Sequence, residues 1–169
     1  MFYAALILII LLLIVLAAFV STAALKNHAD SRWETLVRLW RARNEAAAAL
    51  NEHMKPYLAD DGLYIRIIKL IGAGGLAKTR KETVAVNLKI QAETEKLVSE
   101  AVKTCADECA DLLARIAAAN EKIGFARIFY NKSLSEYNKI NTKLNIIKSA
   151  CRKAYKKMTA VFMNKSKSA

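Results

Sequence analysis

The chain has 169 residues, of which 54% are hydrophobic, with 27 Lys and Arg against 15 Asp and Glu, a net charge of +12. That is about one domain's worth of chain, and 5 Gly with 1 Pro are too little turn chemistry for a sandwich, a barrel or a string of βαβ units. The composition therefore describes an all-α protein.

Residues 1–25 carry no charged side chain, and residues 2–20 no polar group except the Tyr3 hydroxyl. A helix needs about 20 apolar residues to cross the roughly 30 Å hydrocarbon core of a bilayer, so residues 1–25 read as a transmembrane anchor. The rival reading is a cleaved secretory peptide, supported by the small residues Ser21, Thr22, Ala23 and Ala24. It lacks the basic stretch that precedes the apolar core of such peptides. Lys26, Arg32, Arg38, Arg41 and Arg43 follow the span and no basic residue precedes it. The positive-inside rule then puts the N-terminus outside and the body in the cytoplasm. Three cysteines, Cys105, Cys109 and Cys151, agree with a reducing compartment.

Beyond the anchor, Trp33, Leu36, Val37, Trp40, Ala47, Leu50 and Met54 recur with helical spacing. This helix should continue the anchor and stop near Lys55, because Pro56 disfavours helix in the residue before it. Asp60, Asp61 and Gly62 read as a turn. The short apolar run at residues 63–71 reads as a buried helical turn or two, and the glycines of residues 72–75 as a break that lets the chain reverse. Gly72 to Thr79 also approaches the phosphate-loop pattern, but Ala77 stands where the second glycine belongs and no βαβ frame surrounds it.

From Val84 a seven-residue repeat runs through Leu88, Gln91, Glu95, Val98, Val102, Cys105, Cys109, Leu112, Ile116, Ala119, Ile123, Ala126, Tyr130, Ser133, Tyr137, Ile140 and Leu144 to Val161. Unbroken helix over residues 84–161 would be about 117 Å long. A reversal is therefore expected, at residues 120–124 or 141–145, giving an antiparallel bundle of long helices. Cys105 and Cys109 would share one helical face as small apolar fillers. With His28 and His53 distant in sequence, no metal site, cofactor or catalytic constellation is expected.

Tyr130-Asn131 and Tyr137-Asn138 lie seven apart, with Asn145 extending the line, and read as a seam whose asparagines set helix alignment. On Ile123, Ala126-Arg127, Tyr130-Asn131 and Tyr137-Asn138 the chain resembles the LemA family of bacterial membrane proteins, whose C-terminal signature has these residues at this spacing. The similarity covers roughly residues 110–147, with weaker agreement over 1–50, where Leu36-Val37 resembles an early motif of the body. It departs from the family at Asn120-Glu121 and Lys143-Leu144, in the missing central loop and in an added basic tail over residues 148–167, as in a divergent member. The resemblance implies one membrane helix, a helical domain over residues 26–147, the bacterial inner membrane and no enzymatic activity.

Charge is concentrated at the end of the chain. Residues 122–169 hold 12 Lys and Arg against the single acid Glu136, a net of +11. In the tail of residues 148–169, Lys148, Arg152, Lys153, Lys156, Lys157, Lys165 and Lys167 alternate with apolar residues, a composition suited to the anionic inner leaflet. The expected function is a membrane-associated scaffold or adaptor with protein partners or a second copy of itself. The alternative is a membrane-tethered nucleic-acid binder, although the region holds ten Lys to two Arg and shows no recognised nucleic-acid motif.

Overall fold

The computed structural model describes residues 2–58 and 61–165, with side chains placed for these except at 2, 4, 8, 11, 146–148 and 150–165. The described residues are helical apart from Leu58 and the short connections at residues 77–79 and 105–109, and include no strand. Four helices follow one another: α1 (Phe2–Met54), α2 (Asp61–Leu76), α3 (Arg80–Thr104) and α4 (Ala110–Lys165), with a 3-10 turn at Lys55–Tyr57 after α1. The all-α architecture with a long apolar N-terminal helix is thus the one the composition implies.

The chain forms two compact units, one of Met1–Trp33 with Phe129–Ala169 and one of Glu34–Ile128. In the first, α1 and α4 run antiparallel. Trp33 meets Tyr130 with ring centroids 5.4 Å apart, the Arg32 guanidinium sits 5.5 Å from the centre of the Phe129 ring, and His28 Nδ1 lies 3.1 Å from the buried Ser133 hydroxyl.

In the second unit all four helices meet around Ala46, Ala47, Leu50 and Met54 of α1, Leu63 and Ile67 of α2, Leu97 and Ala101 of α3, Cys105 and Cys109, and Ile116 of α4. Helix α2 folds back on α1, where the Asn51 amide donates to the Tyr64 carbonyl at 3.1 Å and the Tyr64 hydroxyl to Glu52 at 2.7 Å. It lies antiparallel to α3, tied by Arg66 to Glu93 at 3.3 Å. α1 ends at Met54, immediately before Lys55 and Pro56, as the proline requires.

Several expectations are corrected. The glycines at residues 72–75 do not break the chain; they form the last turns of α2, and no glycine takes a positive φ. A Cβ on Gly74 would meet Val86 at 3.5 Å and Ile90 at 3.6 Å, ordinary van der Waals contact, so α3 packs against this turn without requiring a glycine there. The reversal falls instead after Leu76, where Thr79 caps α3. The Thr79 hydroxyl accepts from the Glu82 amide at 3.2 Å, and the Glu82 carboxylate accepts from the Thr79 amide at 3.3 Å, which satisfies donors that a helix start leaves open. Gly62, expected in a turn, lies in the first turn of α2, a 16-residue helix where one or two turns were expected.

The second reversal is neither at residues 120–124 nor at 141–145, both of which lie inside α4. It is at Cys105–Cys109, between α3 and α4. The heptad register accordingly holds in α4 as far as Leu144, where Ile116, Ile123 and Ser133 are buried and Leu112, Ala119, Tyr130 and Tyr137 half-buried, its later positions to Val161 lying outside the described side chains. It is one residue off in α3, whose buried stripe is Asn87, Ile90, Thr94, Leu97 and Ala101, leaving Leu88 and Val102 about half exposed. Asn131, Asn138 and Asn145 are exposed, so they do not form an aligning seam. Among the described residues the buried asparagines are Asn51 and Asn87.

Candidate functional site

The apolar stretch of α1 is long and apolar enough to cross a membrane, and none of its most apolar 18-residue window is buried. Leu12, Leu13, Ile14 and Val15 are each at least half exposed. Water penalises such a surface at roughly 25 cal/mol per Å², whereas hydrocarbon accepts it without cost. Lys26, Arg32, Arg38 and Arg41, which follow this stretch, are exposed, but Arg43 is not. Fully buried, it belongs to the core and not to the basic flank.

Around Arg43 lies a polar network that no motif announced. Its Nη2 donates to the Asn44 side-chain oxygen at 2.9 Å, to the Asn87 carbonyl at 3.1 Å and to the Asn87 side-chain oxygen at 3.2 Å. The Asn44 amide also donates to the Asn87 side-chain oxygen at 3.1 Å, while Arg43 Nη1 has no hydrogen-bond partner among the described residues. Burial lowers the Arg43 pKa to about 10, against the opposing pull of Glu95, so the group still carries its charge at neutral pH. Asn44, Asn87, Trp40, Glu45 and Thr83 line a half-open cleft of about 340 Å³, with Gly74 and Gly75 in its wall.

The second cluster lies where the end of α1 meets the turn between α3 and α4. Cys105 and Cys109 are both free thiols and both buried. Their sulfurs are 3.1 Å apart, and Cys105 Sγ lies 3.3 Å from Met54 Sδ. His53, set aside on sequence distance, offers a ring nitrogen within 4.8 Å of both thiol sulfurs. The cysteines are not two positions on one helical face; the turn itself brings them together, with the Cys109 amide donating to the Cys105 carbonyl at 3.0 Å. Glu108 closes the rim: its Oε2 accepts from the Tyr57 hydroxyl at 3.2 Å and lies 3.6 Å from His53 Nε2. Burial first, then the bond to Cys105 and the Glu108 charge, push the Cys109 thiol up to about 11.

The family-motif residues form no single site. Ile123 is buried, Ala126, Tyr130 and Tyr137 are half-buried, and Arg127, Asn131 and Asn138 are exposed along α4. Of the basic residues marked for lipid contact, Lys148, Arg152, Lys153, Lys156, Lys157 and Lys165 lie in the backbone of α4 with side chains outside the described residues, and Lys167 lies outside them altogether. The chain matches no family model and no curated protein.

Proposed function

We propose that the protein is a non-enzymatic, single-pass membrane protein, a divergent relative of the LemA family, whose helical body works on the cytoplasmic face as a scaffold or adaptor. The observation that carries this reading is the unburied apolar stretch of α1 running without interruption into the helix that supplies Leu36, Trp40, Leu50 and Met54 to the core. The exposed Lys26, Arg32, Arg38 and Arg41 support a cytoplasmic body, and the +11 charge of residues 122–169 supports contact of the tail with anionic lipid.

The test is topology in cells. A single cysteine added after Ala169 of a chain freed of its own three is challenged with a membrane-impermeant thiol reagent. The expected result is a membrane-bound protein whose added cysteine reacts only after the cells are opened. Labelling in intact cells reverses the orientation, and recovery in the soluble fraction removes the anchor.

A further inference from the structure

We propose that His53, Met54, Cys105 and Cys109 form a binding site for one soft metal ion, copper(I). Four donors arrive from two segments far apart in sequence, the last two residues of α1 and the α3–α4 turn. Three of them are sulfur atoms in a row, at 3.3 and 3.1 Å. Ordinary packing of a cysteine needs only apolar neighbours, and nothing in it requires a second thiol, with a thioether beside one sulfur and an imidazole nitrogen within 4.8 Å of both.

The spacing fits an ion. Metal–sulfur bonds of about 2.3 Å place tetrahedral ligand atoms about 3.8 Å apart, and the His53, Cys105 and Cys109 ligand atoms already lie within 4.8 Å of one another. The 3.1 Å sulfur pair has to open by about 0.7 Å to reach that distance. The donor types choose the metal. Two thiols and a thioether are soft, which favours copper(I), whereas zinc sites take nitrogen, thiolate and carboxylate and seldom a thioether. Met54 is therefore the discriminating ligand.

The surroundings fit as well. The Glu108 carboxylate lies 3.6 Å from His53 Nε2, in the place of the outer partner that orients a metal-ligating imidazole. His53 keeps 40% of its side-chain surface exposed, which provides an entry path to thiols that are otherwise buried. Binding replaces the two thiol protons, which pass to solvent, with no change in oxidation state. Because both thiols give up a proton on binding, affinity rises with pH. The titratable groups facing the pair are Glu108 in the turn, His53 on α1 and Tyr57 in the 3-10 turn.

The experiment titrates the full-length reduced protein, in detergent and without oxygen, with copper(I) held by a chromophoric chelator, in a Cys151→Ser background that leaves the two cluster thiols. The expected result is one copper withdrawn per chain, lost in Cys105→Ser and in Cys109→Ser. Met54→Leu, nearly equal in volume, should weaken copper(I) binding and leave zinc(II) binding unchanged. Exposed Glu108→Gln, which spares the core, should weaken copper binding about 10- to 100-fold, so the proposal stays testable if the serine variants unfold. Withdrawal of copper by the Cys105→Ser/Cys109→Ser double variant equal to that of the parent overturns the site. So does a Met54→Leu chain that binds copper(I) as the parent does.

Discussion

Arg43 sits fully buried among amide oxygens instead of carboxylates, which makes the Asn44 and Asn87 side chains structural. Removing a partner from a buried charged donor costs its desolvation, about 1–3 kcal/mol, whereas replacing the charge by an apolar chain of similar length is often neutral. Asn87→Ala is therefore expected to destabilise by about 1–3 kcal/mol, and Arg43→Met by less, since it also removes the unpartnered Nη1. Denaturant unfolding of the helical signal in detergent orders the two variants; a larger loss in Arg43→Met would contradict this account of the network. Trp40, Leu50 and Met54 were legible as core from their spacing. Arg43 falls on the same stripe, three residues after Trp40 and four before Ala47, but a charge there reads as basic flank, because its acceptors on α3 are brought to it only by the fold.

Helix α2 carries three glycines in its last turns, yet they remain helical because the packed face at Leu63 and Ile67 outweighs their poor propensity. Around Gly72 nothing lies within 4 Å of a built Cβ. Gly72→Ala should therefore stabilise the protein by about 0.8–1 kcal/mol, while Thr79→Ala, which dismantles the cap of α3, should cost about 1 kcal/mol. Opposite shifts of the thermal midpoint, upward for the first and downward for the second, are the result to look for. A turn at the glycines would instead make Gly72→Ala destabilising. Thr79 and Glu82 stand at the spacing of a capping box, a signal that went unread beside the glycines.

For the whole molecule, the long apolar surface of α1 is the feature on which localisation depends. An arginine at the centre of a spanning helix costs about 2.5–3.5 kcal/mol of insertion. The double substitution Leu12→Arg and Leu13→Arg should therefore release a large part of the protein from the membrane on fractionation. Retention equal to that of the parent would mean that the body or the basic tail holds the protein there without a span. Both positions are more than half exposed, so the substitutions remove no contact of the helical core.

Composition and period by themselves determined the all-α class, the apolar N-terminal helix, its stop before Pro56 and the buried face of α4 at Ile116, Ile123 and Ser133. These are local properties: hydropathy, a proline's ring and a 3.5-residue repeat act on near neighbours. Only the tertiary structure decided where the chain turns and what meets there. The register of α3 shifts by one residue because the turn at Cys105–Cys109 absorbs the phase, a shift invisible in a repeat that runs smoothly across it. The same turn carries two thiols to the end of α1, some fifty residues earlier in the chain, and sets His53 beside them. Proximity of that kind follows from how helices fold back on each other, and sequence separation does not encode it.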